Sequence, residues 1–364
     1  MPDGMDSAAT KVSPRRIIGY VAGSTPVLPS AAKKLTHINY AFAHVSDGNE
    51  VILHDPEAPE NIARLRALKA VNPDLKIIVS VGGWGADGFS DSALTDASRK
   101  EFANSVVEFV QKHDLDGIDL DWEYPGQPGP GIKYRPEDKE NFTLWLAAMR
   151  QELDALSDAQ GRQGSDRFTV TIASADREYF DTTEMDKLHI HLDWINIMAY
   201  DFFGSLTPVT GHHAGLGRSP HAPPTARYGE ASVQQHLAVG IPPEKLVLGV
   251  PFYGRGWTEV NPANNGRYQT YGRYFGDFAY ANLAQDFIDC NGYVRYWDDQ
   301  VHVPYLWNAE TSTFISYEDP ESLSVKANFI MENQLGGFMY WEHSHDPDQV
   351  LLDTLYQNLN PTNG

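Results

Sequence analysis

The strongest constraint on this chain is a rhythm. Eight short apolar runs, at residues 16–21, 35–43, 75–83, 116–123, 168–173, 192–200, 245–252 and 336–341, alternate with longer segments of helical period. The runs are nearly continuous in apolar residues, as in Ile77-Ile78-Val79 and Val247-Leu248-Gly249-Val250, which is how strands buried on both faces read. Between them, Phe102, Val106, Phe109 and Val110 repeat at helical spacing. Phe142, Leu146, Met149, Leu153 and Leu156 keep the same period behind Pro136-Glu137-Asp138, and Leu323, Ala327, Ile330 and Met331 mark a helix before the eighth run. The alternation predicts an α/β fold, a parallel (β/α)8 TIM barrel, with its site at the C-terminal ends of the strands. Asp121, Glu123, Tyr200, Arg255 and Trp341 all fall at those ends.

One segment breaks the rhythm. Residues 258–317 carry Tyr268, Tyr271, Tyr274, Phe275, Tyr280, Tyr293, Tyr296, Trp297, Tyr305 and Trp307. Short alternating runs at 292–297 and 313–317 read as antiparallel strands. The chain therefore divides into a barrel at 15–257 and 318–360 and a small α+β insertion at 258–317, between strand seven and the last helix.

The fourth run reads Asp116-Gly117-Ile118-Asp119-Leu120-Asp121-Trp122-Glu123. Strand side chains alternate faces, so Asp119, Asp121 and Glu123 point the same way, about 7 Å from one to the next. Three carboxylates on one face of a buried strand repel each other, and a plain scaffold would not collect them. They are best explained as a site where at least one acid keeps its proton near neutral pH. A solvated acidic turn would not interleave the acids with Ile118, Leu120 and Trp122.

This pattern, D-x-x-D-x-D-x-E, resembles the active-site strand of family 18 glycoside hydrolases, the chitinase-type family. The resemblance runs from about residue 16 to about residue 353. Ser80-Val81-Gly82-Gly83 is like the family's S-x-G-G strand, and Met198-Ala199-Tyr200-Asp201 is like its M-x-Y-D strand. Tyr253-Gly254-Arg255 resembles the strand-seven signature, with Arg255 reaching the cleft. Trp341 resembles the tryptophan at the floor of the subsite where cleavage occurs, and Phe42 and Trp84 look like flanking sugar platforms. Segment 258–317 resembles the insertion domain of one chitinase subgroup, which forms a wall of the cleft.

The resemblance implies hydrolysis of β-1,4-linked N-acetylglucosamine with retained configuration. The sugar's own 2-acetamido group acts as nucleophile and forms an oxazolinium ion; this family is an exception to the two-carboxylate rule. Glu123 is then the acid and afterwards the base, its pKa raised by Asp121 and Asp119. Asp121 holds the acetamido N–H, and Tyr200 donates to the acetamido oxygen. Asp119 shares a proton with Asp121 and accepts from Tyr20 and Ser80, while Asp116 supports the turn. Met198, Asp201 and Tyr253 complete the substrate-binding set, with Asp201 a sugar hydroxyl partner. Two other functions stay open: an endo-β-N-acetylglucosaminidase acting on glycoprotein glycans, and a chitin-binding lectin. Lectin members typically lose the catalytic acid, which is present here as Glu123.

There are departures. Leu206 stands near where many relatives carry a tryptophan on the leaving-group side, and residues 174–180 have an uncommon form. His343, His345 and Asp346, like His212 and His213, lack a clear third ligand, so they read as hydrogen-bonded rather than metal-binding.

The formal charge of −21 argues against nucleic acid and anionic membranes as partners, and is compatible with a neutral sugar polymer such as chitin or its oligosaccharides. Eighteen Tyr, sixteen Phe and eight Trp exceed what a core needs, although more than half must be core. Cys290 is alone, so no intrachain disulfide supports the fold. No apolar run is long enough to span a bilayer. The first fifteen residues lack the apolar stretch of a signal peptide. The chain is therefore intracellular or had its signal removed, and a polymer substrate favours secretion. The expectation is a monomer with no cofactor and no metal.

Overall fold

The structure, a computed structural model, describes residues 15–360. The polar stretch read for signal-peptide character lies outside the described residues except for Arg15.

The strands in chain order are β1 (Arg16–Ala22), β2 (His37–Val45), β3 (Val51–Ile52), β4 (Lys76–Gly82), β5 (Gly117–Asp121), β6 (Thr169–Ser174), β7 (Trp194–Ile197), β8 (Leu246–Pro251), β9 (Tyr253–Thr258), β10 (Arg273–Ala279), β11 (Val294–Asp298), β12 (Val303–Asn308), β13 (Thr313–Ser316) and β14 (Gly337–Trp341). Eight of them, in the order β1-β14-β8-β7-β6-β5-β4-β2, form a parallel sheet that closes through β1 and β2. The short β3 pairs antiparallel with β2 at its rim. This is the (β/α)8 barrel that the alternation of runs predicts.

Helices sheathe the barrel with the faces their sequences dictate. Asp96–His113 buries Phe102, Val106, Phe109 and Val110, and starts at a capping box between Thr95 and Ser98. Asp138–Ala159 buries Phe142, Leu146, Met149 and Leu153, while Leu156 is only partly buried. Pro320–Glu332 is capped by Asp319, whose side chain accepts from the backbone of Glu321 and Ser322. It buries Leu323, Ala327 and Ile330, but Met331 is exposed, because it sits one position beyond the apolar stripe. Behind β5, Trp122 stacks on Phe89 and meets Trp145 and Phe142 edge-on, fixing the strand that carries the acids.

The second sheet is antiparallel, in the order β10-β9-β13-β12-β11. Its strand β9 begins at Tyr253, directly after β8 ends at Pro251. Arg255 therefore stands on the second sheet, not on the seventh barrel strand as its position in the sequence suggests. The chain swings from barrel to second sheet within two residues, and Tyr253 and Arg255 overhang the barrel mouth as a result.

Candidate active site

Asp119 lies at the centre of the barrel and is fully buried. Parallel register sets Ser80, Asp119 and Thr171 side by side on β4, β5 and β6. Oδ2 of Asp119 accepts from the Tyr20 hydroxyl and the Ser80 hydroxyl, each at 2.8 Å. Oδ1 accepts from Thr171 Oγ1 at 2.6 Å and Asn196 Nδ2 at 3.2 Å. Burial still pushes the Asp119 pKa up, with the four donors opposing it. Both oxygens are thus filled by neutral donors from four other strands.

Asp121 ends β5 and is buried, with Oδ1 lacking any hydrogen-bond partner. Its carboxyl is held well above the usual range by burial first, then by the charges of Glu123 and Asp119. The strand ends at Asp121, and Glu123 follows two residues later, close enough for its charge to act on Asp121. Burial raises the Glu123 pKa to about 7, the Tyr124 hydroxyl opposes the rise, and the charge of Asp201 adds to it. Asp121 and Glu123 repel each other, as the sequence leads one to expect, and the charge of Asp119 acts on Asp121. Glu123 and Asp121 behave as one coupled pair and share their titration.

Gly82, opposite Asp121 on β4, has φ +128°, and a Cβ there would lie 2.0 Å from the Asp121 carbonyl oxygen. Only glycine lets the two strand ends approach this closely. Asp116, by contrast, is at the far end of β5, where Oδ2 accepts from the Ile77 N–H and pairs with Lys69, each at 2.7 Å. It anchors the strand far from the mouth.

The floor is aromatic. Phe42 and Trp341 stack with ring centres 5.4 Å apart, and Tyr20 lies 5.9 Å from Trp341. Met198, Phe42 and Trp341 pack on the inner cluster that holds Tyr20, Tyr200 and Met339. The Tyr200 hydroxyl faces the Met339 sulfur at 3.9 Å, and burial with the nearby Asp121 charge holds it well above the usual tyrosine range. Trp84 stands 62 % exposed on the rim, edge-on to Tyr124 at 6.3 Å. Asp201 has φ +56° and accepts at Oδ1 from Tyr253 at 2.7 Å and Arg255 Nε at 2.6 Å. Burial pushes its carboxyl up, but Arg255 and His213 outweigh it and hold Asp201 below the usual range.

Three of the four histidines weighed as ligands have side-chain partners, whereas both ring nitrogens of His213 lack the hydrogen bond expected of it. His343 meets the Tyr340 hydroxyl at 2.8 Å, His345 lies 3.3 Å from Glu342, and His212 lies 3.1 Å from Asp298. Asp346 caps a helix by accepting from the backbone of Val350, Leu351 and Leu352. Among the described residues no group of three His, Cys, Asp or Glu could hold a metal ion, and no helix is long and apolar enough to cross a membrane.

Residues 16–346 match the sequence pattern of the glycosyl hydrolases family 18. The chain belongs to that family. This family 18 chain is 45 % identical over 320 residues to Chitinase A1 of Niallia circulans, a match covering 84 % of the chain and 45 % of the relative. It is 31 % identical over 384 residues to Chitinase B of Serratia marcescens, covering 88 % of the chain and 75 % of that protein. The chain thus spans under half of the first relative's length. Among solved structures, a family 18 N-acetylglucosaminidase from Paenibacillus barengoltzii superposes with a TM-score of 0.88 at 40 % identity, covering 94 % of this chain and 99 % of that one.

Sequence reasoning about this family 18 chain missed Thr171 and Asn196, the donors to Asp119 Oδ1. A signal was present: both are polar residues at alternate positions of otherwise apolar strands. It also missed Tyr179, whose buried hydroxyl has no partner and feels the charges of Asp121 and Glu123. The place of His213 beside Asp201 depends on the folded path of residues 202–213, which local sequence does not show.

Proposed function

We propose that the protein is a chitinase-like hydrolase that cleaves β-1,4 bonds between N-acetylglucosamine units with retention of configuration. The observation that carries this reading is the pair at the barrel mouth: Glu123 keeps a proton up to about pH 7 beside Asp121, whose buried Oδ1 has no partner. Burial and mutual repulsion let the coupled pair keep a proton that Glu123 can deliver. Glu123 gives it to the leaving sugar's glycosidic oxygen as the bond to the anomeric carbon breaks. The acetamido oxygen bonds to that carbon, and the oxazolinium N–H donates to the Asp121 carboxylate. Tyr200 donates to the acetamido oxygen. Water then loses a proton to the Glu123 carboxylate and attacks the anomeric carbon, reopening the ring from the same face.

The remaining groups bind. Trp341 and Phe42 carry the sugar at the cleavage point, Trp84 a sugar on the rim, and Met198, Asp201, Tyr253 and Arg255 line the wall below the second sheet. Asp119, with Tyr20, Ser80, Thr171 and Asn196, fixes the strand from beneath. The reading needs no metal or cofactor, and a solid polymer as substrate places the protein outside the cell. One second reading has a specific observation behind it. The N-acetylglucosaminidase relative is matched over nearly its whole length, which favours release of single sugars from short oligomers.

Time-resolved product analysis on N-acetylglucosamine hexamer tests both, for the natural protein and for Glu123→Gln. Short oligomers of retained configuration, lost by at least about 100-fold in the variant, support the chitinase reading. Monomer as first product supports the second. Binding without cleavage by the natural protein would make it a lectin, and neither binding nor cleavage would direct attention to glycoprotein glycans.

A further inference from the structure

His213 is completely buried, and neither ring nitrogen has a hydrogen-bond partner. Its Nδ1 lies 3.6 Å from Asp201 Oδ1, just beyond hydrogen-bond contact, and its ring centre is 5.2 Å from that of Tyr253. A buried, unpaired imidazole is costly unless its polar edge has work to do.

The backbone around it is pinned from several sides. The His213 N–H donates to Ser316 Oγ at 2.9 Å on β13, and the His213 carbonyl accepts from the Phe202 N–H at 3.0 Å. The next carbonyl, of Ala214, accepts from Lys326 Nζ at 2.6 Å, and Lys326 is itself paired with the buried Glu318. One residue earlier, His212 is held by Asp298, and Thr210 N donates to the carbonyl of Gln269 at 2.9 Å. The imidazole therefore cannot drift from Asp201 without breaking contacts to the second sheet and to the helix that carries Lys326.

Asp201 needs such a support. Its backbone sits in the left-handed region, its side chain is 41 % exposed, and the Tyr253 and Arg255 donors converge on Oδ1 alone. A third donor from below would fix the carboxylate plane and leave Oδ2 for a sugar hydroxyl.

We infer that His213 is a positioning residue for substrate: its Nδ1–H, from the second-sheet side, orients the Asp201 carboxylate toward a hydroxyl of a bound N-acetylglucosamine oligomer. This rests on the reading of Asp201 as a sugar-binding group. The second sheet then contributes to binding twice, through Arg255 directly and through the clamp on His213.

Leu and Asn are similar in size, but only Asn carries an N–H donor, so the test compares His213→Leu with His213→Asn on N-acetylglucosamine hexamer. The expected result is a KM raised about tenfold in His213→Leu with kcat within about threefold, and recovery of KM to within about threefold of the natural value in His213→Asn. The same pair in the Glu123→Gln background should show the same loss and recovery in hexamer Kd. Equal KM and Kd for the natural residue and His213→Leu would overturn the inference, as would equal damage from Leu and Asn, which would mark His213 as packing alone. If only His213→Asn folds, a raised KM and Kd in that variant overturns it, and natural values support it. Absence of hexamer cleavage and binding by the natural protein would instead sink the functional reading beneath it.

Discussion

Asp119 and Asp121 stand two residues apart on one strand, yet Asp119 accepts four hydrogen bonds while Oδ1 of Asp121 accepts none. The first is a saturated structural carboxylate. The second is a buried acceptor left open at the strand end, beside the proton held by Glu123. Two like residues on one face thus receive opposite tasks from their neighbours.

The pH dependence should follow from Glu123. Its raised pKa means the proton needed for cleavage is present below about pH 7 and lost as the pH rises through that value. A profile of kcat/KM on soluble oligomers should fall above about pH 7. A limb centred near the ordinary glutamate value of 4.5 would contradict the buried placement of this acid.

Thr171→Val is nearly isosteric and removes one donor from Asp119. The expected loss is about 1–3 kcal/mol of stability, read from the denaturant midpoint. The Asp119 pKa is already raised by burial, and losing a donor raises it further. The deficit should therefore be full where Asp119 is ionised and shrink as the pH falls through its folded pKa.

Trp84 is exposed on the rim and meets Tyr124 edge-on. Trp84→Ala should leave stability within about 0.5 kcal/mol. Loss of an aromatic sugar platform worth about 1 kcal/mol should raise KM for the hexamer about fivefold. An unchanged KM would remove Trp84 from the binding surface.

Lys326 and Glu318 form a buried ion pair where the second sheet rejoins the barrel. Lys326→Met leaves a buried carboxylate uncompensated, with an expected cost of about 3–5 kcal/mol. Adding Glu318→Gln should restore part of that. Urea midpoints of the two single variants and the double variant, combined as a cycle, measure the coupling.

The sequence by itself determined the barrel, because eight apolar runs separated by helical periods have few other ways to bury both faces of every strand. It also determined the acidic strand and the family, since acids at fixed offsets on a buried strand survive only as a site. Local periodicity could not show where alternation stops. The end of β8 at Pro251 hands Arg255 to the second sheet. Nor could it choose which acid is satisfied. That choice is made by Tyr20, Ser80, Thr171 and Asn196, drawn from four other strands by register, and by His213, brought beneath Asp201 by a loop pinned to a second sheet. Proton affinity and hydrogen-bond supply depend on groups distant in the chain and adjacent in space, so only the tertiary structure could assign them.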